Sequence, residues 1–303
     1  MIHIFDGACG TMLQAAGLRP GACPELINVE QPEMMAAVHS AYIEAGATII
    51  ETNTFGGSSL KLAHYGLADR TAEINSAAVR VAKSAADGKA KIAGSMGPTG
   101  RFIKPLGDLD FEEAFFVYRE QAKSLVQAGV DYLIIETSID IQEMRAALLA
   151  AKEVCGAVPV ICQLSYREDG RTVTGTDPRT AAITLSAMGA DIIGVNCSLG
   201  PEQLVPIVKT LAENTDKPIS VQPNAGMPHL ENGETIFPMT PKDFGYWAPK
   251  LIEAGATYIG GCCGTTPAHI RAIAKAAAYC SEPQPAVKEK KLWLTSRSKS
   301  VCI

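Results

Sequence analysis

Short apolar runs alternate with longer stretches in which apolar residues recur every three or four positions, and the alternation spans nearly the whole chain. Runs of strand length begin near Ile2, Thr48, Lys91, Tyr132, Val158, Asp191, Pro218 and Tyr258. Each precedes a segment of helical period: PEMMAAVHSAYIEAG, TAEINSAAVRVAKSAAD, FEEAFFVYREQAKSLVQAG, IQEMRAALLAAKEV, DPRTAAITLSAMG, PEQLVPIVKTLAEN, TPKDFGYWAPKLIEAG and TPAHIRAIAKAAA. Asp177-Pro178, Thr240-Pro241 and Thr266-Pro267 each place a capping side chain before a proline suited to a first helical turn. Repeated strand–helix units imply parallel strands joined by right-handed crossovers. Eight of them over residues 1–280 predict an α/β protein with a (β/α)8 TIM barrel. A doubly wound open sheet is the alternative, but no strand runs into GxGxxG.

A weak internal repeat supports the barrel. EAGATIIETNT, QAGVDYLIIETS, AMGADIIGVNCS and EAGATYIGGCCG share one layout, a helix end at glycine, a short turn, then an apolar strand ending in polar or thiol groups. Counting that glycine as zero, position seven holds Asn53, Glu136, Asn196 and Cys262, and position eight holds Thr54, Thr137, Cys197 and Cys263. The other strands add Asp6, Ser95 and Asn224 at comparable ends. Barrel active sites form at the carboxyl ends of strands, so this rim is where chemistry is expected. After Cys280 the pattern stops. Residues 281–303 read as a proline-containing, charged linker followed by the start of a further, truncated module.

The acidic balance, 27 Lys and Arg against 32 Asp and Glu, gives no reason to expect nucleic acid. No apolar run approaches the roughly 20 residues needed to span a bilayer, and Asp6 interrupts any signal-like segment, so a cytoplasmic location is expected. Nine cysteines there are expected as thiols rather than a disulfide framework. Cys197 and the adjacent Cys262-Cys263 fall at matching strand ends and offer three thiolates with an open fourth position, a set that suits Zn2+. Neighbouring residues on a regular strand face opposite ways, so both can reach one ion only if the strand has ended; Gly260, Gly261 and Gly264 would supply the freedom to turn. Two buried free cysteines packed as small hydrophobes are the competing reading for Cys262-Cys263, with a vicinal disulfide or a redox pair as lesser ones, and Cys9 in DGACG is a competing ligand.

Cys155, Cys162 and Cys280 read as small buried hydrophobes, and His39, His64 and His269 as packing or surface residues. Asp6 and Glu136, ending apolar strands, are expected to hold a cationic group of a ligand, while Glu51 is left open between that role and local bonding. GxSxG, HExxH and a Walker loop are all missing from the sequence, which removes several hydrolase and nucleotide-binding classes.

FDGACGTMLQ, ETNTFGGSS, GSMGPTG, IIETSID, GVNCSLGP, QPNAGMP and GGCCGTTPAHI together resemble the homocysteine-binding module of cobalamin-dependent methionine synthases, from about residue 3 to 280. Cys9 departs from that family's usual residue. The resemblance implies a zinc barrel in which Cys197, Cys262 and Cys263 bind the metal and homocysteine sulfur takes the open place. It further implies that Asp6 and Glu136 receive the substrate ammonium, with Thr52 and backbone amides around Gly7 near its carboxylate. Asn224 is expected as an oxygen ligand or gate when substrate is absent. The methyl donor would be methylcobalamin on another module, with a methyltetrahydrofolate-binding module beyond, fused or separate. A stand-alone methyltransferase using S-methylmethionine or betaine, and a non-catalytic barrel with a structural zinc, are the alternatives.

Overall fold

The computed structural model describes residues 1–231, 234–283 and 291–303. Its strands are β1 His3–Ile4, β2 Ile49–Glu51, β3 Lys91–Met96, β4 Tyr132–Ser138, β5 Val160–Leu164, β6 Ile192–Asn196, β7 Ile219–Gln222, β8 His229–Glu231, β9 Glu234–Ile236, β10 Ala256–Ile259, β11 Trp293–Thr295 and β12 Ser300–Cys302. The helices are α1 Cys9–Ala15, α2 Ile27–Glu30, α3 Pro32–Glu44, α4 Ser59–Ala63, α5 Thr71–Ala86, α6 Phe111–Ala128, α7 Ile141–Val154, α8 Pro178–Ala187, α9 Pro201–Glu213, α10 Pro241–Glu253 and α11 Pro267–Ala277. All eight expected strand–helix units are present. Asp177 and Thr240 accept the N3 backbone N–H as expected of N-caps, and Thr266 joins His269 in a capping box.

The eight barrel strands pair in parallel in the order β1-β10-β7-β6-β5-β4-β3-β2. A parallel bridge between Phe5 and Ile49, with the Asp6 N–H donating to the Ile49 carbonyl at 3.1 Å, joins the two ends of that sheet into a ring. Phe5, Ile49, Ala93, Ile134, Ile161 and Ile192 pack together inside it with Tyr132 and Tyr258. The larger apolar layer, including Leu133, Ile135, Val160, Leu185 and Val208, fills the space between sheet and helices. Each such fully buried side chain contributes about 1.5–3 kcal/mol. No helix among the described residues is long and apolar enough to cross a membrane.

Two hairpins depart from the simple pattern. β8 and β9 pair antiparallel in the segment after β7. The expected linker falls largely on residues 284–290, outside the described residues, but beyond it β11 and β12 form an antiparallel hairpin packed on α8. The hairpin turn is held to the barrel: the Arg297 guanidinium bonds the Asp140 carboxylate, the Thr176 hydroxyl donates to the Arg297 carbonyl at 2.6 Å, and Arg171 donates to the Ser298 carbonyl at 3.2 Å. Asp140 is fully buried and also caps α7 through the Gln142 N–H. Arg297→Met therefore leaves a buried carboxylate short of its cation, and chemical denaturation should show a loss of about 1.5–3 kcal/mol. An unchanged midpoint would show that water replaces the arginine at no cost.

Candidate active site at the barrel mouth

Parallel pairing sends every barrel strand to the same rim, and the expected site residues converge there. A cavity of about 280 Å³ is lined by Asp6, Gly7, Cys9, Glu51, Thr52, Glu136, Cys197, Gln222, Cys262 and Cys263, among others. Among the described residues, no Lys, Arg or His lines it.

On one side are three sulfurs. The Sγ atoms of Cys197, Cys262 and Cys263 lie within 4.8 Å of one another, and those of Cys197 and Cys263 are 3.8 Å apart. The backbone explains how they meet. β6 ends at Asn196, and Cys197 and Ser198 then take left-handed φ angles of 58° and 59°. Thr137, at the equivalent repeat position after Glu136, has φ 58° as well, a turn that Thr54 and Cys263 at the same position do not share. β10 ends at Ile259, so Cys262 and Cys263 lie beyond the strand, as their common direction requires. Here the reason for the glycines is corrected in part. Gly264, at φ +77°, supplies a left-handed turn, but Gly260 and Gly261 are needed for space: a Cβ would come within 2.5 Å of the Phe5 Cβ or the Thr265 hydroxyl. That hydroxyl donates to the Cys262 carbonyl at 2.7 Å and accepts the Ala8 N–H at 3.1 Å, tying the cysteine turn to the first strand.

Without a cation the sulfurs share protons unequally. Hydrogen bonds from the Cys262 and Cys263 thiols, with help from the Asn224 side chain, pull the Cys197 thiol down to about 3. The same bonds push Cys262 well up and Cys263 up to about 12. Asn224 lies two residues beyond β7, and its buried Oδ1 has no hydrogen-bond partner. Cys9 stands apart from this cluster. Its thiol contacts the Asn53 Oδ1 and Met35 sulfur, both at 3.6 Å, and burial pushes it well up. Cys155 and Cys162 are buried, while His39 is enclosed with neither ring nitrogen bonded and held down to about 4 by burial. His269 serves the α11 cap and the Met239 carbonyl.

Three carboxylates, those of Asp6, Glu51 and Glu136, group on the other side, and a further acid, Glu25, lines the cavity with its carboxylate accepting the Gly56 N–H. Asp6 accepts the Glu51 N–H at 2.9 Å through Oδ2, while its buried Oδ1 has no partner. Glu136 accepts from the Ser95 hydroxyl at 2.5 Å and the Asn196 amide at 3.0 Å. Glu51 accepts from the Gln222 amide at 2.9 Å, and a further hydrogen bond joins it to Glu136. Gln163, from β5, in turn donates to the Gln222 Oε1 at 2.8 Å. Burial pushes all three carboxyls up, and for Glu51 the charges of Glu136 and Asp6 add to it. Glu51, left open from sequence, thus faces its two acidic neighbours. Gln222 and Gln163 were missed, although a glutamine in the otherwise apolar β5 run is a legible signal. Thr52 lines the cavity with its hydroxyl already engaged by Thr54 at 2.6 Å and the Ser95 N–H at 3.1 Å.

The profile of homocysteine S-methyltransferases matches residues 3–277. This chain belongs to that family. It is 33% identical over 300 residues to the methionine synthase of Mycobacterium tuberculosis and 32% identical over 298 residues to that of Mycobacterium leprae. Each match covers 93% of this chain and 25% of the relative, so the chain spans a quarter of their length. Among solved structures, the metallated form of the Escherichia coli homocysteine methyltransferase MmuM superposes with a TM-score of 0.77 at 25% identity, covering 90% of this chain and 96% of that one. Its oxidized form gives 0.77 at 26% identity, covering 90% and 94%. The barrel read from the sequence is therefore the fold of this family.

The carboxylate cluster gives a pH signature. Its carboxyls are raised above their unfolded values near 4, so the ligand-free fold is favoured while they stay protonated and loses that advantage as pH rises through the folded values. Glu51→Gln removes one of the three mutually repelling groups. Its melting temperature should gain on the wild type as pH rises from about 4 toward neutrality. Parallel profiles would mean that the cluster is already neutralised.

Proposed function

We propose that this barrel binds homocysteine and prepares its sulfur for methylation, with Cys197, Cys262 and Cys263 holding a zinc ion. The observation that carries this reading is the pairing, in one small cavity, of a three-sulfur cluster with the clustered carboxylates of Asp6, Glu51 and Glu136 and, among the described residues, no protein cation. Homocysteine has one thiol and one ammonium group to offer those two halves. The donor set suits zinc: sulfur ligands match a borderline-soft ion, and three of them leave one place open, whereas a structural site closes with four. When bound, zinc supplies a Lewis acid that keeps a thiol deprotonated at neutral pH, where a free thiol of pKa about 8.5 is mostly protonated.

The chain's own residues do the positioning. The unpartnered Asp6 Oδ1 and the Glu136 carboxylate take the substrate ammonium, with Glu51 beside them as a third acidic wall. The backbone around Gly7, with Thr52 against it, receives the substrate carboxylate; because the Thr52 hydroxyl already has partners, the amides carry most of that contact. Asn224 stands next to Cys197 with a free oxygen, placed to act as a ligand or gate before substrate arrives. The substrate sulfur then attacks the methyl carbon, and the donor leaves with the bonding pair. No protein base is assigned.

The donor in this reading is methylcobalamin, carried by another module, with a methyltetrahydrofolate-binding module further along. Support comes from the methionine synthases of which this chain spans a quarter. A second reading, a stand-alone enzyme using S-methylmethionine or betaine, is favoured by the Escherichia coli methyltransferase, 96% of which this chain covers. Titrating zinc-loaded protein with homocysteine should release about one proton per thiol bound at neutral pH. Cys263→Ser should lose both zinc and homocysteine affinity, while Cys162→Ser keeps them. Absence of proton release, or retained affinity in Cys263→Ser, sinks the zinc reading. Methyl transfer from S-methylmethionine without any corrinoid selects the second donor.

A further inference from the structure

The acidic half of the cavity contains a contact that two full negative charges could not make. Glu51, ending β2, and Glu136, in β4, are joined by a hydrogen bond. Ionised carboxylates only accept, so two of them share such a bond only when one carries a proton.

Their neighbours decide which one carries it. Glu136 is surrounded by donors: the Ser95 hydroxyl reaches its Oε1 at 2.5 Å, and the Asn196 amide and Thr137 hydroxyl reach its Oε2 at 3.0 and 3.3 Å. The Asn196 amide is fixed in that sense, because its Oδ1 accepts the Thr137 N–H at 2.8 Å. Glu136 is thus arranged to accept at both oxygens, as an ionised carboxylate does. Glu51 is supplied differently. Among the described residues its side-chain donor is Gln222, whose amide reaches Oε1 at 2.9 Å. Gln222 is turned that way by Gln163, whose Nε2 donates to the Gln222 Oε1 and to the Ser220 hydroxyl, both at 2.8 Å. The second oxygen of Glu51 is left to hold the proton. The titratable side chains lining the cavity are all acids or thiols, so none offers a positive charge that would draw the proton off.

We infer that Glu51 is the protonated member of the pair, donating to an ionised Glu136, and that Gln222 and Gln163 are positioning residues that hold it in that role. The acids that meet a ligand's ammonium are then Asp6 and Glu136. Glu51 acts through Glu136, fixing its carboxylate from the side away from Ser95 and Asn196. The relay runs across the barrel interior, from β5 through β7 to β2 and β4, and it keeps a cavity that receives one ammonium from carrying a third negative charge there. The choice of ligand rests on the homocysteine reading; the place of the proton belongs to the empty cavity.

Glu51→Gln separates a neutral donor from an anionic ligand, because its amide oxygen can accept from Gln222 while its N–H donates to Glu136. In zinc-loaded protein its homocysteine affinity should stay within about threefold of wild type, whereas Glu51→Ala and Gln222→Leu should each weaken binding roughly tenfold. Zinc content should be the same in all of them. An infrared difference spectrum of wild type against Glu51→Gln at neutral pH should show the carbonyl stretch of a protonated carboxylic acid, shifted in D2O and lost in the variant. Binding by Glu51→Gln as poor as by Glu51→Ala would overturn the inference, and so would the lack of that band. Unchanged affinity in both Glu51→Ala and Gln222→Leu would overturn the positioning role. If wild type binds no homocysteine, the homocysteine reading fails on its own, and the infrared band still decides where the proton lies.

Discussion

The Asp6 N–H that donates to the Ile49 carbonyl sits at the seam where the first strand meets the second and the sheet becomes a ring. The closure is short, two residues of β1 paired with β10 and one bridge to β2, helped by the Thr48 N–H donating to the Ile4 carbonyl at 2.8 Å, yet the mouth depends on it. It sets the Asp6 carboxylate against the Glu51 N–H, and the Asp6 carbonyl accepts the Gly261 N–H from the far side. The first strand is thereby gripped between the acidic half of the cavity and the turn that carries two of the three sulfurs. Thr265 repeats the link one step further along, from Ala8 to Cys262.

Most of this frame could be read from the sequence because strand and helix periods are local properties. The repeat did not announce the left-handed turns: of its four residues at position eight, Thr137 and Cys197 take a left-handed φ and Thr54 and Cys263 do not. What could not be read were contacts joining distant strands. Glu51 and Gln222 are 171 residues apart, and nothing in ETNTF or QPNAG announces that they bond. The roles of Gly260 and Gly261 were hidden for the same reason. A glycine required by a neighbour's bulk looks identical, in sequence, to one required by its own backbone angle. The final hairpin eluded period analysis because its strands are only three residues long.

The cavity's two halves have opposite protonation problems with a common remedy. Three sulfurs this close repel one another as thiolates, and hydrogen bonding among them holds Cys197 down while it pushes Cys262 up. Burial likewise pushes the carboxyls up, and among the described residues no Lys, Arg or His lines the cavity to offset it. A protein that placed its own lysine there would gain stability and fill the site at once. Leaving both halves short of positive charge costs folding energy, which the closed apolar interior offsets.

The halves are not independent, because the Cys197 charge reaches Glu136 and helps hold its carboxyl up. Neutralising the sulfur cluster with a cation removes that repulsion, so the carboxylates ionise more readily and attract an ammonium group more strongly. The reverse also holds, since an ammonium between Asp6 and Glu136 eases thiolate formation across the cavity. In the proposed function, reciprocity would make the two binding events favour one another with equal free energy. A ligand carrying a sulfur and an ammonium on one short skeleton engages both halves, whereas a simple thiol or a simple amine engages only one. In the proposed function, selectivity for an amino acid thiol would follow from charge balance across a small cavity, without a contact to every atom of the ligand.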